Sequence, residues 1–213
     1  MSNLTTSAAS FLPEDRSLDA LREAAATCEG CALYKDATQT VFGEGQPTAK
    51  VVLIGEQPGD EEDKTGRPFV GPAGRLLNRA LIDAGIDREA AYITNAVKHF
   101  KWESRGRRRI HKKPQDREIK ACKPWLINEI ESICPQVVVC LGVTAATAAF
   151  GKAVRLKDYR GIFSQSSLSD MTFVTTHPSA LLRIPEEEIQ QLEYRRFVDE
   201  LRLVQSHLRE GSE

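Results

Sequence analysis

The chain lacks any apolar run long enough to cross a bilayer. The longest, Val137 to Val143 with Gly142 counted, is seven residues, against the ~18–20 that a spanning helix needs. The N-terminus, MSNLTTSAASF, has neither a basic stretch nor an apolar h-region, so residues 1–15 are expected to form a disordered polar leader rather than a secretion signal. A cytoplasmic protein without membrane contact is the resulting expectation. There is no internal repeat and no Pro/Gly/Ser linker, so residues 16–210 should form a single domain. Neither G-x-G-x-x-G nor G-x-x-x-x-G-K-[ST] occurs between a strand and a helix, which excludes a dinucleotide-binding or P-loop enzyme. A charge surplus is also missing: 29 basic residues face 30 acidic ones, and no global field advertises a polyanionic partner. Five cysteines, an odd number without an export signal, argue against a disulfide framework and for metal, cluster or core roles.

What is present is an ordinary globular composition over 213 residues, 41% hydrophobic and 28% charged, sufficient for a sizeable core. The spacing predicts helices over Leu18 to Thr27 with Ser17 as N-cap, Pro72 to Ala84, about Asp116 to Ile133 with a bend or restart at Pro124, Val143 to Phe150, and about Pro185 to Leu208. Short β-branched runs predict strands at Lys50 to Ile54, Ala91 to Val97, Val137 to Leu141 and Thr172 to Thr176, with residues 155–169 irregular or a hairpin. Alternating strands and helices imply right-handed βαβ units. The expected fold is α/β, a three-layer αβα sandwich around a four-stranded, mainly parallel sheet. Ligands of such sheets bind beyond the carboxyl ends of the strands. GEQPGDEED (Gly55 to Asp63), NAVKH (Asn95 to His99) and HPS (His177 to Ser179) all follow strand ends and should meet in one crevice.

Cys28-Glu-Gly-Cys31 places two sulfurs on one side of a turn, and needs two more ligands to hold an ion or cluster. Cys122 is the better candidate, with His99 as a fourth; Cys134 and Cys140 read as small core hydrophobes. The acids of GEQPGDEED, Glu56 and Asp60 among them, form either a solvated loop or carboxylates suited to base catalysis and to a cationic transition state. Between Lys98 and Lys113, sixteen residues hold eight Lys or Arg and one acid, which reads as a basic loop. His111, at its end, is either one more phosphate contact or a neutral nucleophile kept unprotonated by neighbouring arginines. Phe69 could stack a base or fill core, Asn95 could read a base edge or cap the backbone, and His177 could be structural.

In the order C-x-x-C, GEQPGDEED, GRPFVGPAG, TNAVKH, C-x-P-W-L, VVVCLG and HPS, the chain resembles the family 4 uracil-DNA glycosylases over roughly residues 28–183. Gln57 and the inserted Arg107-Arg108-Arg109-Ile110-His111 resemble the UdgX branch, whose KRRIH loop links covalently to uracil-containing DNA; Arg107 stands where that branch has Lys. The resemblance implies that Phe69 stacks on a flipped uracil, Asn95 reads its Watson–Crick edge and His177 stabilises the departing base. It further implies that Glu56, Gln57 and Asp60 line the sugar side, His111 attacks C1′, and Arg107, Arg108, Arg109 and Ser179 help bind substrate. It also implies a [4Fe–4S] cluster on Cys28, Cys31 and Cys122, with His99 where family 4 has a cysteine. The expected partner is uracil-containing DNA, preferably single-stranded, bound by a monomer. A turnover glycosylase releasing an abasic site, and a non-catalytic nucleic-acid module with structural zinc at the C-x-x-C, are the competing readings.

Overall fold

The computed structural model describes residues 7–106 and 108–210. Ser7 caps a 3₁₀ turn over Ala8–Phe11, and buried Ala8 packs into the core. A Cβ on Gly30 would lie 2.6 Å from the Ala8 nitrogen. The leader expected over residues 1–15 is therefore packed from Ser7 onward, because Ala8 and Phe11 find apolar cover that a polar run does not advertise; residues 1–6 lie outside the described residues.

The elements that follow are α1 (Leu18–Ala25), β1 (Val51–Gly55), α2 (Asp60–Thr65), α3 (Pro72–Ala84), β2 (Ala91–Asn95), β3 (Trp102–Arg105), β4 (Arg108–His111), α4 (Asp116–Ile133), β5 (Val137–Leu141), α5 (Val143–Phe150), α6 (Leu156–Tyr159), β6 (Phe163–Ser164), β7 (Thr172–Thr175), α7 (Pro178–Leu181) and α8 (Glu187–Glu210). The main sheet runs β2-β1-β5-β7-β6, parallel except for β6 against β7. It has five strands, not four, because two residues of the segment expected to be irregular or a hairpin, Phe163 and Ser164, pair antiparallel with β7 at the edge. β1, β2, β5 and β7 are buried along their whole length, as parallel strands covered on both faces must be. Side-chain alternation sends Val52, Ile54, Val138 and Cys140 to a core shared with α1, α4 and α5. Val51, Leu53, Val137 and Val139 face a second core, shared with α3 and α8.

Three local expectations change. α4 is one continuous helix with Pro124 inside it and does not restart there, since the lost N–H removes only one intrahelical bond. β2 ends at Asn95 rather than at residue 97, since Ala96 and Val97 turn to donate to the carbonyls of Gly55 and Glu56 at 3.0 and 3.1 Å. The basic segment is not a loop but an antiparallel hairpin, β3 with β4, turning at Gly106 with φ 62°. No helix among the described residues is long and apolar enough to cross a membrane.

Candidate active site and thiol cluster

The chain crosses from β1 to β2 on one side and to β5 on the other, so the carboxyl ends of β1 and β5 flank the switch point where open α/β sheets bind ligands. A cavity of about 790 Å³ opens there, lined by Glu56, Phe69, Asn95, His111, Thr144 and His177 among others. All three strand-end segments named from the sequence meet in it. The remaining parallel strand end, Gly142 and Thr144 after β5, lines it as well, as the same rule requires.

Close packing sets the base-sized part of the pocket. Phe69 has φ 55°, a left-handed conformation that a bulky side chain adopts only when its surroundings impose it. Gly74 permits it by passing under the Phe69 carbonyl, where a Cβ would stand 1.7 Å from the oxygen. The Phe69 ring lies 5.9 Å from the His177 ring at 32°. Asn95 pairs with Gly55 across the ends of β2 and β1, and its Oδ1 is buried without a hydrogen-bond partner among the described residues. An acceptor buried this way is free energy withheld until a donor arrives. Gly55 lets both groups approach, for a Cβ there would fall 2.3 Å from Asn95 Oδ1 and 2.6 Å from Phe69 Cζ. Gly55→Ala is therefore expected to displace Asn95 and Phe69 together and to lower affinity for a base-bearing ligand about 10–100-fold, measured by titration with labelled oligonucleotide.

Two histidines face this pocket. The backbone N–H of Ser179 donates to His177 Nδ1 at 3.1 Å, so the neutral ring carries its proton on Nε2. Ser179 Oγ also lies 2.9 Å from Nδ1 and accepts from Arg183 at 3.3 Å, making Ser179 a brace for His177. Burial, then the neighbouring His111 and Arg183, hold His177 down at about 4 against an ordinary 6.5. The folded chain thus binds fewer protons than the unfolded chain between those values, and stability present above pH 6.5 is lost as pH falls toward 4. The melting temperature is expected to drop across that window, and to drop less in His177→Asn. His111 is also lowered, by desolvation first and then by Arg183, against an opposing pull from Glu56. Its Nε2 stands 3.6 Å from Glu56 Oε1, while the other Glu56 oxygen accepts from the Thr144 hydroxyl.

The hairpin is what delivers His111. Strand alternation puts Arg109 and His111 on the face turned to the body, and leaves Arg108 exposed on the other. Arg109 bonds Asp60 at 2.5 Å and Asp63 at 2.6 Å and lies 5.4 Å over both Phe100 and Trp102. It pins the hairpin to α2 and is not free for phosphate, as the basic run suggested. Asp60 is likewise held, by Arg109 and Lys64, and both interactions keep its carboxyl below the usual range. Gln57 clasps the base of the hairpin: its amide donates to the carbonyls of Lys101 and Lys112 at 3.1 and 3.0 Å and accepts from the Lys101 N–H at 3.3 Å. Its amide is engaged with protein although its stem lines the pocket. Arg107 lies outside the described residues. The cations lining the cavity are instead Lys113, the last residue of the basic run, and Arg183, which the sequence reading did not name. Arg183 had a signal, standing four residues after Ser179, just past the end of the short helix α7.

On the opposite side of β2, Cys28, Cys31 and Cys122 are buried in one core. Burial first, and then the neighbouring thiolates, raise Cys31 and Cys122, the latter to about 12. N–H groups already point at the sulfurs: Gly30 at 3.4 Å and Trp125 Nε1 at 3.2 Å on Cys28, and Lys98 at 3.2 Å on Cys122. His99 is buried and neutral, held at about 4 by desolvation, with Nε2 2.9 Å from Thr40 Oγ1. Among the described residues no three His, Cys, Asp or Glu side chains are grouped tightly enough to hold a single ion. Cys140 is buried with burial alone raising its thiol, as a core residue. Cys134 is exposed at the end of α4 with φ 51°, not core, because the helix turns left-handed there.

Residues 42–202 match the family described as the Uracil DNA glycosylase superfamily. The chain belongs to that superfamily. It is 39% identical over 176 residues to the Type-4 uracil-DNA glycosylase of Thermotoga maritima, covering 82% of this chain and 88% of the relative. It is 36% identical over 179 residues to the Type-4 enzyme of Sulfurisphaera tokodaii, covering 79% and 77%. A Type-5 uracil-DNA glycosylase of Pyrobaculum aerophilum is 29% identical over 164 residues, covering 64% of each.

Proposed function

We propose that this member of the superfamily excises uracil from DNA and is then trapped on the sugar through His111. The observation that carries the reading is the placement of a neutral, partly exposed imidazole on the lining of the cavity, beside Glu56 and His177, by a hairpin that three separate clasps hold down. A flipped uracil stacks on Phe69 and donates to the orphaned Asn95 Oδ1. As the bond between C1′ and the base breaks, its electron pair leaves on uracil, and His177 Nε2–H stabilises the resulting anion. The oxocarbenium-like sugar accepts the lone pair of His111, and the imidazolium so formed passes its ring proton to Glu56. Held against the sugar, the imidazole competes with water through an effective concentration of ~10⁵ M or more.

Lys113, Arg183 and the exposed Arg108 are the cations we assign to phosphate. Single-stranded DNA is the preferred substrate, since no base pair then opposes flipping, and one copy of the chain, acting in the cytoplasm, suffices. The three buried thiols with their N–H donors, and His99, suit a [4Fe–4S] cluster, whose ligands stand further apart than those of one ion. Bound there, the cluster would tie the Cys28–Cys31 turn to α4 and to the segment after β2. A structural zinc is the less favoured occupant, given the spread of the ligands.

The test is incubation with a uracil-containing single-stranded oligonucleotide, heating, and a denaturing gel beside a thymine control. A shifted, heat-stable band with uracil alone is the expected result. No band but an alkali-labile strand would mean a turnover glycosylase, and an intact strand would leave a binding module.

A further inference from the structure

The side chain of Asn95 faces the pocket, but what holds its backbone lies behind it. Lys98 is wholly buried, and its ammonium donates to the Asn95 carbonyl at 2.9 Å, to Thr94 Oγ1 at 2.5 Å and to a Glu129 carboxylate oxygen. Glu129, also wholly buried, is saturated from other directions: Tyr92 hydroxyl at 2.8 Å, Thr94 hydroxyl at 3.0 Å and the Gly43 N–H at 3.1 Å. Gly43 is needed for this closeness, since a Cβ would stand 2.3 Å from the Tyr92 oxygen. The Lys98 backbone N–H, pointing the other way, donates to Cys122 Sγ at 3.2 Å. One residue thus closes the irregular turn after β2 at both ends.

An ion pair with no solvent contact is a poor source of net stability, because desolvating two charges offsets their attraction. Its value here is geometric. Residues 96–98 lie beyond the last rung of β2, and the Asn95 acceptor at that rung, which must meet a base edge, cannot wander by a fraction of an ångström without losing the bond.

We propose that Lys98 is the positioning residue of the base-reading amide: from α4 and Glu129 it clamps the Asn95 carbonyl, and through its own N–H it joins that clamp to the thiol cluster. This rests on the reading of Asn95 given above. The test uses the protein as purified, comparing wild type with Lys98→Met/Glu129→Gln, which removes the clamp without leaving a buried charge alone. Hydrogen exchange is followed in peptides spanning residues 91–100 and in α8, and the half-saturating concentration of uracil-containing single strand is measured alongside the single-turnover rate.

The expected result is exchange about tenfold faster at residues 95–98 with α8 unchanged, and a half-saturating concentration raised about tenfold, the loss of one charge-assisted hydrogen bond. Unchanged exchange at 95–98 overturns the proposal whether or not the wild type acts on uracil. Faster exchange with unaltered half-saturation overturns it too, making Lys98 structural only. A wild type that leaves uracil DNA intact counts against the reading of the pocket, and the exchange result then decides the clamp by itself. Should the double variant fail to fold, Thr94→Val removes one acceptor of the ammonium and one donor to Glu129, and the same local rise in exchange, smaller in size, is expected.

Discussion

Replacing His111 with serine is expected to abolish the heat-stable protein–DNA band while leaving uracil excision detectable as an alkali-labile site. The residues assigned to base departure, Asn95, Phe69 and His177, sit on β2, the loop before α3 and α7, none of which the hairpin carries. Removing the imidazole leaves that machinery intact and gives water the position the ring held. The expected size is the full effective-concentration advantage of a held nucleophile, ~10⁵-fold or more in partition between adduct and hydrolysis, so no adduct should be visible on a gel. Because His111 is held below the ordinary 6.5, the rate of adduct formation in the wild type should be level around neutrality and fall only in acid, as the ring protonates. A band that survives His111→Ser would give the nucleophile's role to another group.

His177→Ala is expected to act on the other half of the reaction. The Ser179 N–H fixes the tautomer that presents Nε2–H, and the low proton affinity of the ring keeps it a neutral donor throughout the physiological range. A donor aimed at charge that develops only as the base leaves stabilises the transition state more than the bound substrate. Its loss should therefore lower the single-turnover excision rate about 10²–10³-fold with little change in half-saturating DNA concentration. A variant that binds weakly but cleaves at the normal rate would make His177 a binding group instead.

The parts of this site legible in the sequence are those where one residue type at one place can do little else. Strand ends punctuated by glycine, proline and polar residues announce the crevice, and GEQPGDEED, TNAVKH and HPS do meet there. The C-x-x-C spacing and the polar surroundings of Cys122 marked three cysteines that do lie in one core. The hairpin could not be read in this way. A run of arginines carries no apolar alternation to mark strands, and its pairing is imposed from outside by Gln57, Asp60 and Asp63. For the same reason Arg108 and Arg109, adjacent and chemically identical, have opposite fates: one is exposed, the other held in two ion pairs over two aromatic rings. Thr144 and Lys98 were invisible because a threonine after a glycine and a lysine in a basic run carry no mark of what they will touch.

Local composition and periodicity determined the layered α/β plan, the parallel core strands and the candidate chemistry, since burial of an all-apolar strand and the turn chemistry of glycine and proline act over a few residues. Tertiary structure alone decided which charges are free and which are neutralised. A side chain's availability depends on partners tens of residues away: Asp60 and Asp63 for Arg109, Glu129 for Lys98, Ser179 and Arg183 around His177. Electrostatics and hydrogen bonding are set by distance in space, which the order of residues along the chain does not specify.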